Sequence, residues 1–428
     1  KRLWIFIIYL FPFAKICVYL RFNKDLNSVL LCGKIFHDLY IMKKSSLIVL
    51  SLIATVITGG LLPACTSSSG QAAASCAIRI EYISGFPDYE PGYSLGVSAC
   101  YAGFINDELI IAGGCNFPDI PASEGGEKRF YKGIYRGLPA NDSTLTWTQI
   151  GELPVEAAYG VTLSLPHKLI FVGGNHSTGG LSTTYSLSLN ATGDAAILDT
   201  LPALPFALDN MAGAVLGNVL YVFGGNKAGV PSASLFSLSM ENPAEGWKEE
   251  PALPGAPRVQ PVCTAQEDAL YIWGGFSPSL GENQEAMVAT DGYRYLPASK
   301  TWEPVSAPVV PATGELLTLT GGASIACSDS LILCVGGVNK EIFLDAISGS
   351  YSRVTKENYL TQPVSWYRFN NRLMVYDIHR NGWDEWGQSS GLARAGAALA
   401  GRQQEVFVIG GETKPGIRTA QICKIVIE

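Results

Sequence analysis

An apolar run that ends in two glycines occurs six times in this chain of 428 residues. Successive pairs lie 60, 51, 50, 62 and 74 residues apart, and they end at Gly114, Gly174, Gly225, Gly275, Gly337 and Gly411. Repeats of this length are typical of solenoids and propellers, in which each repeat buries an apolar face against its neighbour. One such motif is weak support for any fold, but six in order predict a repeat architecture over residues 76–428.

Each repeat can be divided into four strands, separated by polar turns. A strand of small residues such as 213–217 comes first, followed by the apolar strand that ends in Gly-Gly and by a third strand such as 232–240. The fourth strand often carries Trp and ends in Pro, as in 247–254, and its indole can cover the next blade. This pattern resembles the Kelch repeat, and six copies imply an all-β, six-bladed β-propeller.

The two ends of the repeat region are incomplete in complementary ways. Residues 419–427 provide the third strand of the last repeat, and the chain then stops. Residues 77–87 have the pattern of a fourth strand with its terminal Pro, but no partner strands precede them. We expect the two segments to pair, which closes the ring and removes the open edge of the sheet. Residues 347–366 are predicted to be an insertion in the fifth repeat.

Residues 42–64 have the pattern of a secretory signal: a basic start, a short apolar run and small residues before a cleavage site. The ending "LLPAC" resembles a bacterial lipobox and predicts lipidation of Cys65. A membrane anchor is the alternative, although the apolar run is short for a span. Residues 65–75 are expected to form a flexible tether. Residues 1–41 lack an initiating Met, and we interpret them as an upstream extension, with a genuine apolar leader as the alternative.

These features predict an exported lipoprotein, periplasmic or anchored in the outer membrane of a Gram-negative bacterium. Residues 65–428 contain 22 Lys and Arg against 35 Asp and Glu, a net charge of −13. Such an acidic protein is a poor nucleic-acid binder, and no basic amphipathic helix suggests membrane contact beyond the lipid. No CxxC or Cys/His cluster suggests zinc, so we expect no metal site. The sequence does not indicate an oligomeric state.

Strands alternate in direction within a blade, so the loops after Gly-Gly and the loops between blades should share one face around the channel. That funnel is the expected ligand site. Amides, hydroxyls and guanidinium groups suit a polyhydroxylated anion. The candidate substrate-binding residues in these loops are Asn116, Asn175, Asn339, Tyr93, Tyr159, Arg258 and Arg394. Each Asn is also a good turn former, and Arg258 could instead pair with an acid on the rim.

The loop after the sixth glycine pair concentrates charge in a chain that is only 16% charged. It contains Glu412, Lys414 and Arg418, and Pro415-Gly416 should reverse the chain so that Arg418 approaches Glu412. A carboxylate beside a guanidinium in a partly dry channel can stay charged and still accept a proton. The alternative is a structural salt bridge that ties the loop.

The stretch "GGETKPGIRT" resembles the catalytic segment of the N-acetylneuraminate epimerase family, which are sialic acid mutarotases on Kelch propellers. The resemblance implies that Glu412 is the proton acceptor and that Arg418 belongs to the active site and binds the sugar acid, with Lys414 nearby. It also implies interconversion of α and β anomers without a cofactor. The segment is mid-chain in the best-known members and terminal here, as in the cyclically permuted mutarotase branch, which "GGCNFPD" and "GGVNKEIF" also resemble. A closed ring tolerates such permutation.

Two other functions are compatible with the sequence. A Kelch propeller can bind a glycan or a protein partner without turnover, because fold alone does not give function. A copper radical oxidase on a similar propeller would need imidazole ligands and a Tyr beside a Cys. After the predicted signal the chain offers only His167, His176 and His379, without a convincing ligand arrangement.

Overall fold

The computed structural model describes residues 4–11, 14–23, 28–35, 77–279 and 285–428. It divides into two compact units, 1–73 and 74–428. In the first unit an antiparallel sheet is formed by Trp4–Phe11, Ala14–Asn23 and Ser28–Ile35. The predicted signal, the lipidation site Cys65 and the tether lie outside the described residues. None of the helices described is long and apolar enough to cross a membrane.

The second unit contains six antiparallel sheets with four main strands each, which we number blades 1 to 6 in the chain order of their innermost strands. The innermost strands are Tyr101–Ile105, Val161–Leu165, Ala212–Leu216, Val259–Gln266, Gly322–Ala326 and Ala398–Arg402. The second strands are Glu108–Ala112, Lys168–His176, Val219–Phe223, Ala269–Ser277, Leu331–Gly336 and Glu405–Ile409.

The outer half of each blade follows after a loop of variable length. The third strands are Gly133–Asn141, Gly179–Leu189, Leu235–Ser239, Gly292–Leu296, Arg372–Asp377 and Ile422–Ile427. The fourth strands are Thr144–Glu152, Ala196–Leu201, Lys248–Glu250, Thr301–Val305, Gly382–Gln388 and Ile78–Ile83. The innermost strands of neighbouring blades contact one another all around a central channel. The predicted six-bladed β-propeller is therefore confirmed.

The loops contain a few short elements. Two-stranded hairpins follow three of the glycine pairs: Cys115–Asn116 with Arg129–Phe130, Asn226–Lys227 with Val230–Pro231, and Glu412–Lys414 with Ile417–Arg418. Met287–Val288 pairs with the second strand of blade 4, and Lys340–Ile347 forms an α-helix. The 3-10 turns described are Tyr93–Leu95, Ala122–Glu124, Pro243–Glu245, Lys356–Asn358, Val364–Tyr367 and Ser390–Leu392.

The ring closes as the sequence predicts. Ile78–Ile83 pairs antiparallel with Ile422–Ile427, so the first strand of the propeller completes the last blade. Across this seam Lys424 Nζ lies 2.8 Å from a carboxylate oxygen of Glu81. The fourth-strand tryptophans also pack between blades, but onto the preceding blade rather than the next one. Trp247, for example, donates its indole N–H to the carbonyl of Pro202 at the end of blade 2.

Six backbone residues form a hydrogen-bonded ring at one mouth of the channel. One precedes each innermost strand or stands at its start, and each N–H donates to the carbonyl of the corresponding residue in the preceding blade over 2.7–3.0 Å. All six adopt left-handed φ values between 53° and 69°. They are Ala99, Tyr159, Asn210, Gln260, Gly321 and Gly396. Four of these residues are not glycine, and a positive φ is sterically unfavourable for them. The packed blades must therefore hold the ring in this geometry.

The loops predicted to share a face do meet there. In blades 1, 2, 3 and 6 the residue just before the ring residue forms a β-bridge with a residue just after the glycine pair, as in Ala395 with Glu412. The glycines allow this close approach. Gly411 has φ 91°, and a Cβ atom there would lie 3.0 Å from the Ala395 carbonyl oxygen. The mouth that carries the hydrogen-bonded ring is therefore the face where the candidate residues can meet.

Candidate active site

Buried side chains satisfy the carbonyl of the first glycine in five of the six glycine pairs. In each case a hydroxyl, amide or guanidinium donates to it over 2.6–3.2 Å. The donors are Tyr93, Tyr101, Arg258, Asn370 and Arg394, which serve Gly113, Gly173, Gly274, Gly336 and Gly410. Because an unpaired buried carbonyl is costly, these side chains are part of the fold.

Two predicted substrate-binding arginines are among these donors, and the structure contradicts that prediction. Arg258 is 1% exposed, and its guanidinium also donates to both carboxylate oxygens of Asp291, over 2.7 and 3.2 Å. Arg394 is 2% exposed, and Nη1 and Nη2 donate to the main-chain and side-chain carbonyls of Gln421, both over 2.8 Å. Neither guanidinium is available to a ligand.

The structure also contradicts the prediction that Tyr93 and Asn116 bind substrate, because both side chains are buried and hydrogen-bonded to the protein. Tyr93 is fully buried, with its hydroxyl on the Gly113 carbonyl. Asn116 is 3% exposed, donates to the carbonyls of Gly92 and Gly96 over 2.8 and 2.9 Å, and accepts a hydrogen bond from the Tyr131 hydroxyl. Both side chains fix the loop that leads into blade 1.

Lys414 and Asn339 have structural partners within the protein. Lys414 Nζ donates to the carbonyls of Leu360 and Gln362 over 3.2 and 2.7 Å, so it ties the insertion of blade 5 to the hairpin of blade 6. Asn339 caps the helix Lys340–Ile347 by accepting from the N–H of Ile342. The insertion itself is longer than predicted, since it begins with this helix and continues to the third strand at Arg372.

Glu412 and Arg418 approach each other as the sequence predicts. The hairpin register pairs the two residues, and Gly416 turns the chain with φ 86°. Arg418 Nη1 lies 2.8 Å from Glu412 Oε2, and the side chains are 5% and 26% exposed. The Gly416 N–H also points to the same carboxylate oxygen, at 3.4 Å. Glu412 thus keeps access to solvent while its cation is buried beside it.

The Arg418 guanidinium is positioned by its surroundings. Nε donates to the Ser98 hydroxyl over 3.0 Å, and the guanidinium carbon lies 5.1 Å from the ring centre of Phe117. Burial lowers the pKa of Arg418, but the Glu412 carboxylate and Tyr159 outweigh burial and raise it, so the group stays cationic. Nη1 is buried, and within the described residues its 2.8 Å contact with Glu412 lacks the geometry of a hydrogen bond.

Tyr159 belongs both to the hydrogen-bonded ring and to this cluster. Its hydroxyl accepts a hydrogen bond from Lys128 Nζ over 3.0 Å, and Lys128 lies 4.8 Å from the ring centre. Burial raises the pKa of Tyr159 well above its ordinary value, and the neighbouring Cys115 adds to this while Arg418 opposes it. The phenol therefore keeps its proton at neutral pH and can act as a donor.

Lys128 is the functional candidate that sequence reasoning missed. It is exposed in the loop after the first glycine pair, near the rings of Phe117 and Phe130, and no carboxylate of the described chain pairs with it. The aromatic residues around "EKRF" were the available signal, since a lysine among aromatic rings keeps its charge without a salt bridge. We call Glu412, Arg418, Tyr159 and Lys128 the mouth site.

Two walls flank the mouth site. Tyr359 and Tyr367 of the blade 5 insertion lie near enough to Glu412 that its charge adds to the effect of burial, which raises the pKa of Tyr367 to about 12. On the blade 3 side, Asp209 accepts from the Asn210 amide over 2.5 Å, and burial raises the pKa of Asp209. A hydrogen bond from the Asn175 side chain opposes the effect of burial on the pKa of Asp209. The side-chain carbonyl oxygen of Asn175 has no partner among the described residues.

Beneath the hydrogen-bonded ring the inner strands enclose a cavity of about 210 Å³, and Tyr159 lines it. The mouth site above it combines a partly exposed carboxylate, two cations and a protonated phenol. Such a set can bind a small anionic polyol and move protons to and from its oxygens. The fold and the site thus define a six-bladed Kelch propeller with a charged candidate active site at its mouth.

The comparisons with known proteins agree with this class. The family model for N-acetylneuraminate epimerase matches residues 201–428, which include the hairpin with Glu412 and Arg418. The chain belongs to the N-acetylneuraminate epimerase family.

Curated relatives carry the same name. The N-acetylneuraminate epimerase of Haemophilus influenzae (strain PittEE) is 31% identical over 252 residues, which is 56% of this chain and 61% of the relative. That of Salmonella enteritidis PT4 is 30% identical over 227 residues, 51% of this chain and 56% of the relative. The matches thus span little more than half the length of these relatives. A solved structure described as "Structure of YjhT" covers 52% of this chain and 62% of its own, with 23% identity and a TM-score of 0.45.

Proposed function

We propose that the protein is an isomerase that interconverts the α and β anomers of a sialic acid, N-acetylneuraminate. One structural observation supports this most directly: the ion pair of Glu412 and Arg418 lies beside a phenol that retains its proton. A mutarotase needs a base for the anomeric hydroxyl and an acid for the ring oxygen at the same time. The names of the relatives provide the substrate.

In the proposed reaction Glu412 accepts the proton of the anomeric hydroxyl while Tyr159 donates its proton to the ring oxygen. The bond between the anomeric carbon and the ring oxygen breaks, which gives an open-chain ketone. Rotation of the ketone presents its other face. On reclosure the former ring hydroxyl attacks the ketone carbon and returns its proton to Tyr159, while Glu412 gives its proton to the ketone oxygen, so both groups regain their starting state. Proton transfer from positioned groups contributes about 10²–10⁴-fold, enough for a reaction that water already performs slowly.

Two cations are proposed to hold the substrate carboxylate, which is attached to the anomeric carbon. Arg418 provides a cation beside Glu412, and Lys128 offers an ammonium group that forms no ion pair with a carboxylate among the described residues. Lys128 replaces Arg258 in this role because Arg258 is engaged by Asp291. Tyr159 is preferred as the acid over Tyr93 and Lys414, which donate to backbone carbonyls.

The test is the rate of anomer exchange, followed by NMR after one sialic acid anomer is freshly dissolved. We expect wild-type protein to accelerate exchange, and Glu412→Gln to reduce the acceleration by about 10²-fold or more because the base is lost. Tyr159→Phe should reduce it by a similar factor. Glu405→Gln is the matched control, since Glu405 is a carboxylate of the same blade that pairs with Arg402. Equal exchange with and without wild-type protein would refute the function, and a fully active Glu412→Gln would refute the base.

A second candidate is a propeller that binds the sugar acid without turnover. The deep burial of Arg418 favours this candidate. A side chain that is only 5% exposed and is paired with Glu412 is also what a structural ion pair requires. Calorimetry that detects binding of N-acetylneuraminate in the absence of anomer exchange would select this candidate.

We also propose that the protein is exported and anchored through a lipid on Cys65. The basis is the signal-like stretch at residues 42–64 and its "LLPAC" ending. In a Gram-negative host the wild-type chain should fractionate with membranes, and Cys65→Ala should move it to a soluble fraction. Identical fractionation of both would contradict the anchor.

A further inference from the structure

A second cavity, of about 820 Å³, lies beside the hairpin of blade 6. Its walls are the connection between blades 4 and 5, the start of the helix Lys340–Ile347, the insertion around residues 364–372, and Thr413. The volume is within the range of about 300–1,000 Å³ that small-molecule sites occupy in proteins. None of the four mouth-site residues lines it.

The hairpin separates this cavity from the mouth site. Successive side chains of a strand point to opposite faces. Glu412 and Lys414 face Arg418 and the insertion carbonyls, whereas Thr413 between them lines the second cavity. The two sites are therefore back to back across one short strand.

Two cations that line the cavity are unpaired in the part of the chain that the structure describes. Lys340 and Arg368 line it, and neither makes a hydrogen bond or ion pair through its side chain within the part of the chain that is described. A third cation, Arg372, is already neutralised by Glu385, whose carboxylate lies 2.7 Å away, and by Glu315 at 3.9 Å.

One carboxylate of the lining, Glu341, also has no ion-pair partner among the described residues. Glu341 lies in the first turn of the helix, where the helix dipole favours a negative charge. The charged residues of the lining are three cations and two carboxylates, and Glu385 beside Arg372 brings the sum to zero. It is therefore the two unpaired cations, Lys340 and Arg368, and not the net charge, that favour an anion here.

Neutral groups suited to a sugar complete the lining. The side chains of Asn371, Ser365 and Thr413 have no hydrogen-bond partner among the described residues, and Phe369 supplies an aromatic surface. Arg368 has a left-handed φ of 49°, a conformation that non-glycine residues adopt where the surrounding structure imposes it. Unused amide and hydroxyl groups beside unpaired cations suit a ligand with both hydroxyls and a carboxylate.

We propose that this cavity is a second binding site for a carboxylate-bearing sugar, with Lys340 and Arg368 as the residues that hold the carboxylate. It goes beyond the proposed catalytic function, because the site lies behind the catalytic hairpin and contains none of its acid–base groups. Its occupancy is independent of the anomer exchange at the mouth site.

The experiment is a calorimetric titration of the full chain with N-acetylneuraminate and, separately, with glucuronate. Wild-type protein should show two sites. Lys340→Gln combined with Arg368→Gln should weaken one of them at least tenfold and leave anomer exchange unchanged. Glu412→Gln combined with Arg418→Gln should keep that site and lose the anomer exchange. Lys356→Gln is the matched control, since it removes an exposed lysine of the same insertion that does not line the cavity.

A single site in the wild type, or two sites that both survive in the Lys340→Gln/Arg368→Gln variant, would overturn the proposal. Competition with inorganic phosphate and with acetate identifies the chemistry: if either displaces the sugar at equal concentration, the cavity takes any anion and the sugar assignment is wrong. Thermal unfolding of the double variant should match the wild type, since neither side chain has a hydrogen-bond or ion-pair partner among the described residues. Failure of anomer exchange with two intact sites would count against the proposed function alone.

Discussion

Blades 4 and 6 use the same arginine in the same place but differ in what surrounds it. Arg258 and Arg394 each precede an innermost strand and donate to the first glycine of their own blade. The residue just before the third strand also accepts hydrogen bonds from this guanidinium, and it is Asp291 in blade 4 and the neutral Gln421 in blade 6.

The loops after the glycines separate the two blades further. In blade 4 the second strand continues through its glycine pair to Ser277. In blade 6 the strand ends at Ile409, and a separate hairpin brings Glu412 and a second arginine, Arg418, to the mouth. The comparison teaches that the repeated blade provides arginines that stabilise the fold, which we call scaffold arginines. The candidate catalytic arginine, Arg418, comes instead from a loop that is not part of the four-stranded sheet.

The largest expected difference between the two kinds of arginine is in stability. Arg258→Ala should lower the free energy of unfolding by about 3 kcal/mol, because it leaves the Gly274 carbonyl and Asp291 unpaired and opens a cavity. Arg418→Ala should cost only about 1 kcal/mol, because its partner Glu412 is reached by solvent. Urea unfolding of both variants measures this. If Arg418→Ala is as destabilising as Arg258→Ala, the Glu412–Arg418 pair is structural and the comparison fails.

A smaller effect should follow from exchanging the partners of the two scaffold arginines. Asp291→Asn makes blade 4 resemble blade 6 and should cost less than about 1 kcal/mol, since the Asp291 side chain is 45% exposed and its ion pair is screened. Gln421→Glu makes blade 6 resemble blade 4 and should stabilise by a similar amount. The midpoint of urea unfolding measures both changes in stability. If Asp291→Asn stabilises the protein or Gln421→Glu destabilises it, the residue that accepts from the arginine does not play the same role in the two blades.

The smallest effect concerns the outer strands, where both blades place an ion pair across the third and fourth strands. In blade 4 Arg294 pairs with Glu303, and at the ring closure Lys424 contacts Glu81 and also Glu405. Burial alone would raise the pKa of Glu405, but Arg402 and Lys424 outweigh it, so the pKa lies below its ordinary value. The stabilisation is therefore present above the ordinary glutamate pKa and is lost as pH falls through the lowered one.

Glu405→Gln tests the ion pairs that Glu405 forms with Arg402 and Lys424 beside this closure. At pH 7 the variant should be less stable than wild type by about 0.5 kcal/mol, and the difference should shrink once the pH falls below about 4.3. Unfolding curves at several pH values provide the measurement. A difference that grows as pH falls would contradict the assigned sign. Glu303→Gln is the matched variant in blade 4, where no chain ends meet.

Much of the fold followed from local sequence. The glycine pairs and small-residue strands predicted the blade number, and the unmatched segments at 77–87 and 419–427 predicted the closure that the strand pairing confirms. The turn at Pro415-Gly416 predicted the approach of Arg418 to Glu412. These features are periodic or only a few residues apart, so they depend on backbone geometry that the sequence encodes locally.

What the sequence by itself determined was therefore the ring and the one hairpin that interrupts its last blade. Only the tertiary structure decided which polar side chains remain free. In the sequence, four side chains looked available to a ligand but donate to backbone carbonyls in the structure: Arg258, Arg394, Tyr93 and Asn116. Lys128 did not stand out in the sequence, yet it forms no ion pair among the described residues. The reason is physical: whether a donor is free depends on the acceptors that other blades bring to it, and no local pattern records those distances.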